Sequence, residues 1–465
     1  MPAQLARIVA HLTSRRPGDD SRWRLGLGNP GRTVVAGFAA GLVVGTVLLM
    51  LPVARTGPGG ATPLEALFTA TSALCVTGLA VVDTATYWTP FGQVTILALI
   101  QVGGFGIMTL ASLLGLLISR RLGLGSRIVA AAETKSVGLG DVRTVLLGVA
   151  KISLTVEAVT ALVLTVRFAT AYDHPVGTSL WLGVFHAVSA FNNAGFALFS
   201  DNLVGFAADP WICLPIAVAV ILGGLGFPVI MELLRRRTRP RRWSVHTRLT
   251  LLMTAVLLVG GTVFMTVAEW GNPGTLGALD PAGRLLAGFF QAVMPRTAGF
   301  NSVDIGSMNT GTLLGTDVLM FIGGGSAGTA GGIKVGTFAV LLVAIVAELR
   351  AAPDAEIFDR RLSPTAVRQA LAVALLSVAA VVASTITIAM TSTYTLDQIL
   401  YEVVSAFATV GLSTGITADL SPGHQLILVV LMFAGRLGPV TLASALVLRE
   451  QNRLFRRPEG RPLIG

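Results

Sequence analysis

The sequence predicts an all-α integral membrane protein built from four consecutive repeats, and three observations carry that prediction. Only 12% of the 465 residues are charged while 53% are hydrophobic, whereas soluble chains carry about 25% charged residues. The apolar residues gather in long runs, near positions 34–53, 91–118, 145–169, 211–234, 247–269, 316–347, 366–390 and 424–448. Each is long enough to cross a hydrocarbon core of about 30 Å. Within each successive pair of runs lies a shorter amphipathic stretch that ends at a glycine, and this arrangement recurs four times.

The mean hydropathy of +0.75 excludes a disordered chain, and two cysteines, Cys75 and Cys213, exclude a disulfide scaffold. Net charge is +10, from 34 Lys+Arg against 24 Asp+Glu, with Lys135, Lys151 and Lys334 among the basic residues. A basic balance also suits nucleic-acid binding, but here the arginines cluster at the ends of apolar runs, as on the cytoplasmic side of a membrane protein. The longest cluster spans Arg235 to Arg242. Arg120-Arg121, Arg360-Arg361, the tail from Arg453 to Arg457 and the N-terminal Arg15, Arg16, Arg22 and Arg24 mark the same side. The other loops hold Asp83, Asp173, Asp201, Asp209, Asp304 and Asp419. Both termini are therefore expected in the cytoplasm and the acidic loops outside. The first apolar run follows some 30 polar residues and lacks a small-residue cleavage site, so a retained span is expected rather than a signal peptide.

The organisation expected is a cytoplasmic segment over 1–30, repeats over 31–125, 126–242, 243–355 and 356–450, and a cytoplasmic tail over 451–465. Each repeat reads as a spanning helix, a half-helix of about 12 residues, a glycine turn and a second spanning helix. The half-helices carry Glu65, His186 and Glu402 and are too short to span, which suits re-entrant segments. Aligned on the glycine, the turns are Cys75-Val76-Thr77-Gly78, Asn192-Asn193-Ala194-Gly195, Arg296-Thr297-Ala298-Gly299 and Ala408-Thr409-Val410-Gly411. An aromatic residue lies ten positions before each glycine: Phe68, Phe185, Phe289 and Tyr401.

Non-helical backbone at membrane depth survives where it is buried in protein or lines a watery cavity. Four such turns about one axis make a pseudo-fourfold pore with a carbonyl-lined constriction. Backbone carbonyls replace a cation's hydration shell without a fixed charge, and glycine permits the backbone conformations that aim them inward. Thr409-Val410-Gly411 matches the core of the potassium-channel filter loop. Taken singly, any one turn reads as an ordinary glycine C-cap; four in register, each between two spanning runs, reverse that and favour the pore. Half-helices entering from outside direct their partly negative C-terminal ends to the pore centre, which favours cations. Arg296 in repeat three, and Asn192 and Asn193 in repeat two, are expected to brace their turns.

The second long run of repeat three is interrupted by Gly323-Gly324-Gly325-Ser326-Ala327-Gly328-Thr329-Ala330-Gly331-Gly332, closing at Lys334. Gly323 to Gly328 fit G-x-G-x-x-G, but no strand precedes them and no soluble βαβ unit follows, so a dinucleotide site is not expected. A small-residue loop below the constriction is a gate candidate; a kink for close packing is the alternative. Arg436 stands inside the last apolar run, where an arginine must pair or face a cavity. It hinders cations below the constriction, hydrogen-bonds carbonyls of the glycine loop, or only completes an ion pair. Lys151 and Glu157, six residues apart, do not share a helix face and are expected to contact neighbouring helices.

Four segments give the chain a strong resemblance to the Trk/Ktr/HKT superfamily of potassium transporters, and most to its bacterial KtrB membrane subunits. They are Thr69 to Leu79, Gln101 to Met108, Gly323 to Lys334 and Gly435 to Thr441, joined by the ending Arg456 to Gly465. The resemblance covers nearly the whole chain from Gly31. It implies a homodimer with one pore per protomer and potassium selectivity through Gly78, Gly195, Gly299 and Gly411, with Gly78 in place of the serine common in sodium-favouring plant relatives. It further implies a gate loop at Gly323 to Gly332 faced by Arg436, and a terminal Gly465 at the dimer interface. The partner implied is a cytosolic KtrA-like ring that binds ATP or ADP. No cofactor is expected in this chain; K+ is the cargo, and Na+ is an activator in such systems.

The function expected is potential-driven potassium uptake as the translocating subunit of a Ktr-type system. The alternative is a proton- or sodium-coupled potassium symporter of the Trk type, for which Glu65, Glu157, His186, Asp317 and Glu402 are the scattered candidate groups. A membrane enzyme is the remote alternative: the five histidines, His11, His174, His186, His246 and His424, show no ligand spacing, and Cys75 has no histidine beside it.

Overall fold

The computed structural model describes residues 30–121, 142–237 and 239–438. The segment 1–29, the whole tail 451–465 with Gly465, and the end of the last apolar run lie outside the described residues.

Repeat one comprises α1 (Pro30–Met50), half-helix α2 (Pro63–Leu74) and α3 (Pro90–Arg121). Repeat two comprises α4 (Val142–Ala171), half-helix α5 (Val176–Phe191), α6 (Pro210–Leu225) and α7 (Phe227–Arg236). Repeat three comprises α8 (Val245–Glu269), half-helix α9 (Pro281–Val293), α10 (Thr310–Phe321) and α11 (Val335–Leu349). A two-residue hairpin, β1 (Glu356–Ile357) and β2 (Arg360–Arg361), leads into repeat four: α12 (Pro364–Ala389), half-helix α13 (Leu396–Ala408) and α14 (Pro422–Leu437).

Local sequence sets these boundaries. Thr62 and Glu65 form a reciprocal capping box on α2, followed by Pro63 at the first helical position. Asp209, Ser244, Asp280, Ser363 and Ser421 accept backbone N–H groups at the starts of α6, α8, α9, α12 and α14. The turn of the hairpin places Phe358 and Asp359 at positive φ, 50° and 59°, the geometry of a two-residue hairpin loop.

The helices α4, α8 and α12 are long and apolar enough to cross a membrane. Only 22–28% of their most apolar windows is buried within the protein, and Val159, Leu162, Val259, Val263, Leu375 and Val382 face outward. A water-soluble bundle would bury such faces, so they are lipid-facing. Each half-helix packs on the first helix of its own repeat. It also packs on the helix that follows the turn in the preceding repeat: α3 on α5, α6 on α9, α10 on α13, and α14 back on α2. That last pairing closes the chain into a ring of four.

One expected span differs. The run 211–234 is two helices, α6 and α7, bent by 98° at Gly226, whose φ of 91° and ψ of 145° suit glycine alone. The expected interruption of repeat three occurs, between Phe321 and Val335.

Candidate functional site

The four turns share one backbone design. Two residues before each glycine the chain is left-handed, at Val76 (φ 56°), Asn193 (59°), Thr297 (74°) and Thr409 (52°), and the glycine itself is at positive φ, 94°, 71°, 72° and 96° in order. Side-chain-bearing residues rarely hold such angles, so the repetition is a built feature. In three repeats the residue before the glycine donates its amide to the carbonyl of the half-helix residue six before that glycine. Thr77 reaches Ser72 at 2.7 Å, Ala194 reaches Ser189 at 2.7 Å and Val410 reaches Ser405 at 2.8 Å. The hydroxyls of Ser72 and Ser405 accept from Gly78 and Gly411, at 3.0 and 3.1 Å. Repeat three has Val293 at that place, and Ala298 and Gly299 donate to the Met294 carbonyl instead.

The turns meet around one axis. A Cβ added at any of the four glycines would come inside 3.0 Å of a backbone carbonyl oxygen of the next repeat: Gly78 against Ala194, Gly195 against Ala298, Gly299 against Val410 and Gly411 against Thr77. Each carbonyl belongs to the residue just before the neighbouring glycine. The four glycines thus form a closed ring, one per repeat, in which no side chain fits. Cys75, Val76, Thr77, Asn192, Asn193, Ala194, Thr297, Ala298, Ala408, Thr409 and Val410 are all buried behind or within it, and Arg296 is 7% exposed.

The braces are varied. Asn192 donates to Gln101 at 2.8 Å and to Glu157 at 3.3 Å, and Gln101 donates to Glu157 at 3.1 Å, tying turn two to α3 and α4. Glu157 therefore contacts neighbouring helices, while Lys151 is exposed. Arg296 donates to the Thr254 carbonyl and hydroxyl on α8, both at 3.4 Å. Nine residues before their glycines, His186 and Glu402 anchor the chain that follows the turn. His186 Nε2 accepts from the Leu198 amide at 3.3 Å. Glu402 accepts from Ser413 Oγ (2.6 Å), the Thr414 amide (2.9 Å) and Thr417 Oγ1 (2.7 Å). Glu65 belongs to its capping box and accepts from Tyr87 at 2.7 Å. The proposed coupling groups are thus separately engaged; Asp317 alone among them has both carboxylate oxygens buried without a partner among the described residues.

The interruption in repeat three is a closed loop. Gly323 donates to the Ile333 carbonyl at 2.8 Å and Ile333 to the Phe321 carbonyl at 3.3 Å, pinching the stem. Lys334 Nζ donates to the carbonyls of Ala330 and Gly331, the latter at 3.3 Å. The tip docks on the bend of repeat two: Gly325 donates to Gly224 (2.7 Å), Thr329 to Gly223 (3.2 Å) and Phe227 to Ala327 (3.2 Å). Carbonyls left open where α6 ends thus find donors in the loop. Ser326 and Gly328 pack beside Gly226. The Thr329 hydroxyl lies 2.9 Å from the Asn193 amide group, and a Cβ at Gly331 would strike Thr409 and Ala408, so the loop sits directly against turns two and four. Arg436 donates to the Thr329 carbonyl and, at 3.2 Å, to the Gly103 carbonyl. It bridges repeats four, three and one, and no acidic partner meets it among the described residues. Its contacts are thus with carbonyls and not with a carboxylate among the described residues.

The sequence holds a further repeat beyond the turns themselves. The helices after the turns carry Val102-Gly-Gly-Phe-Gly106, Leu222-Gly-Gly-Leu-Gly226, Ile322-Gly-Gly-Gly-Ser326 and Ala434-Gly-Arg-Leu-Gly438. In repeats one, two and four the first glycine seats the helix against the carbonyl four residues before the turn glycine, at Leu74, Phe191 and Phe407, where any Cβ would clash. Gly226 and Gly438 both have positive φ, 91° and 83°, and end their helices. Arg436 occupies the position that is glycine in the other three repeats.

A family model described as TrkH, cation transport protein, matches residues 39–457. This chain belongs to the TrkH cation transport protein family. Among its relatives, Ktr system potassium uptake protein B of Bacillus subtilis is 41% identical over 442 residues, covering 94% of this chain and 97% of the relative. Its counterpart in Vibrio alginolyticus is 38% identical, covering 94% and 95%. Potassium/sodium uptake protein NtpJ of Enterococcus hirae is 34% identical, covering 94% and 97%. A crystal structure of the potassium transporter TrkH from Vibrio parahaemolyticus superposes with a TM-score of 0.73 over 92% of this chain and 87% of that one, at 18% identity, and shares the fold. Membership makes the protein a membrane transporter rather than an enzyme.

Proposed function

We propose that the protein is the potassium-translocating membrane subunit of a Ktr-type uptake system, with Gly78, Gly195, Gly299 and Gly411 at the centre of its selectivity filter. The observation that carries the proposal is the closed ring, in which every turn glycine abuts the carbonyl before the next. Carbonyl oxygens around one axis suit a dehydrated monovalent cation, and relatives covering almost the whole chain are named for potassium uptake. The loop Gly323 to Gly332 is the gate in this proposal, with Arg436 and Lys334 holding it beneath the filter. An inward potential supplies about 2.3 kcal/mol per 100 mV to a monovalent cation, enough to concentrate it tens-fold without ATP.

The same proposal places the arginine-rich ends of the helices in the cytoplasm of a bacterial cell, both termini among them. It gives the subunit a homodimeric assembly and a cytosolic regulatory ring of the KtrA type that binds ATP or ADP. Na+ acts as an activator, in keeping with the potassium/sodium naming of one relative, and no cofactor is bound by this chain.

Purified protein in liposomes, with and without the ring, tests the driving force. Rubidium uptake is expected to follow an imposed inside-negative potential and to stop when an ionophore collapses it. Uptake that instead requires a pH or sodium gradient, and persists at zero potential, would favour the symporter.

A further inference from the structure

We propose that the concavity formed by α7, the start of α8 and the hairpin is a binding site for an anionic phospholipid, its phosphate among arginines and an acyl chain in the adjoining groove. The inference stands apart from the identity of the transported cation.

The concavity has a volume of 840 Å3. Seven arginines line it, six between positions 235 and 248 and the seventh at 360, with Asp359 as the only carboxylate on its wall. Such a concentration of one charge is unfavourable unless an anion fills it. Glu232 does not serve, because it is engaged by Arg236 at 3.2 Å and by Ser244 and Thr247. The guanidinium groups of Arg239, Arg241 and Arg242 have no hydrogen-bond or ion-pair partner among the described residues. Arg248 is held in place by donating to the Pro240 and Arg241 carbonyls, and it lies 5.9 Å over the ring of Phe358.

The arginine wall continues into a second cavity of 380 Å3, lined by Pro240, Arg241, Trp243, Arg248, Leu251, Leu252 and Phe358. The two share Arg241, Trp243, Arg248 and Phe358. The Trp243 indole N–H donates to the Arg236 carbonyl at 3.1 Å, fixing the ring at the junction between charged and apolar halves. An amphipathic indole at such a junction suits the membrane interface. Leu251 and Leu252 stand six and seven residues into α8, about 10 Å along the helix at 1.5 Å per residue. The groove thus runs down a membrane-spanning helix, where a soluble partner does not reach but an acyl chain does. A phosphate head above and a hydrocarbon tail below is the one chemistry that satisfies both halves, and basic pockets at this level are suited to anionic head groups.

Native mass spectrometry of the full chain in mild detergent tests the assignment, with phosphatidylglycerol and phosphatidylcholine of identical acyl chains added in turn. Wild type is expected to retain phosphatidylglycerol in preference to phosphatidylcholine. The triple variant Arg239→Gln/Arg241→Gln/Arg242→Gln is expected to bind phosphatidylglycerol about tenfold more weakly or worse, since each surface arginine contributes severalfold to anionic-lipid affinity. The corresponding triple lysine variant should keep the preference, and inorganic phosphate should not displace the lipid at concentrations where phosphatidylglycerol does. Equal retention of the two lipids by wild type, or an unchanged preference in the glutamine variant, overturns the proposal. So does displacement by phosphate alone, which would leave the groove without a role. A glutamine variant that keeps its lipid preference but no longer binds the regulatory subunit would overturn it too and assign the arginines to that partner.

Discussion

At the residue scale, the ring depends on side chains that never touch it. Glu402 is 1% exposed and accepts hydrogen bonds from Ser413, Thr414 and Thr417, so the segment leaving Gly411 is held to the half-helix that enters it. A buried carboxylate is tolerated when such donors surround it. Glu402→Gln would turn an NH2 group toward donors and leave at least one unsatisfied, at a cost of about 1–3 kcal/mol. The expected result is a lower midpoint of thermal unfolding in detergent and a reduced potassium-over-sodium flux ratio, with Glu402→Asp milder. A Glu402→Gln protein equal to wild type in both would remove Glu402 from the support of the turn. This role was hidden in the sequence because the donors lie 11 to 15 positions away in a loop without periodicity. The glycines were legible because the turn can be built in few other ways, and Arg436 because an arginine in an apolar run demands an explanation.

At the scale of elements, repetition made most of the architecture readable. The half-helices were recognisable as too short to span, and the loop of repeat three as a break, since six glycines in ten residues cannot continue a packed helix. The bend at Gly226 is not legible in its own run. Its run is uniformly apolar, and a single Gly-Gly-Leu-Gly within such a run does not distinguish a packing contact from a break. Only alignment with the glycine pairs at 103 and 323 and with Gly435-Arg436 exposes it. The bend has a clear consequence, because α6 and the loop complete each other's hydrogen bonds. Gly226→Ala would force a Cβ against the Ser326 carbonyl and hold alanine at a φ of 91°, strain of about 1–3 kcal/mol. Undocking of the loop is the expected outcome, read as increased potassium leak in liposomes without the regulatory ring. Leak and stability equal to wild type would show that the docking does not restrain the loop.

At the scale of the whole molecule, four repeats close into one ring through contacts at every level. The half-helices pack on neighbouring repeats, the turn glycines abut neighbouring carbonyls, and the loops at the end opposite the arginines are linked as well. There Asp83 accepts from Ser200 of repeat two at 2.6 Å and from Ala85 and Thr86 of its own loop. Partial burial pushes the Asp83 carboxyl up, but these hydrogen bonds outweigh it and hold the group below its ordinary value. A depressed pKa contributes stability above the unfolded value of about 3.9 and loses it as pH falls through the lower folded value. Asp83→Asn is therefore expected to lower the unfolding midpoint by a constant, small amount at neutral pH, with the deficit shrinking below about pH 4; a deficit that grows on acidification would contradict the assignment. The central claim remains the ring itself, and the most direct test is the ratio of potassium to sodium flux in liposomes. Wild type would be compared with Gly78→Ser and Gly299→Ser, using the gate-loop deletion 323–328 as a common background so that gating does not mask conduction. The account predicts strong potassium preference in the parent and a collapse of that preference in both serine variants, because neither turn has room for a side chain. Potassium preference that survives both substitutions would show that selectivity arises elsewhere and would contradict the account.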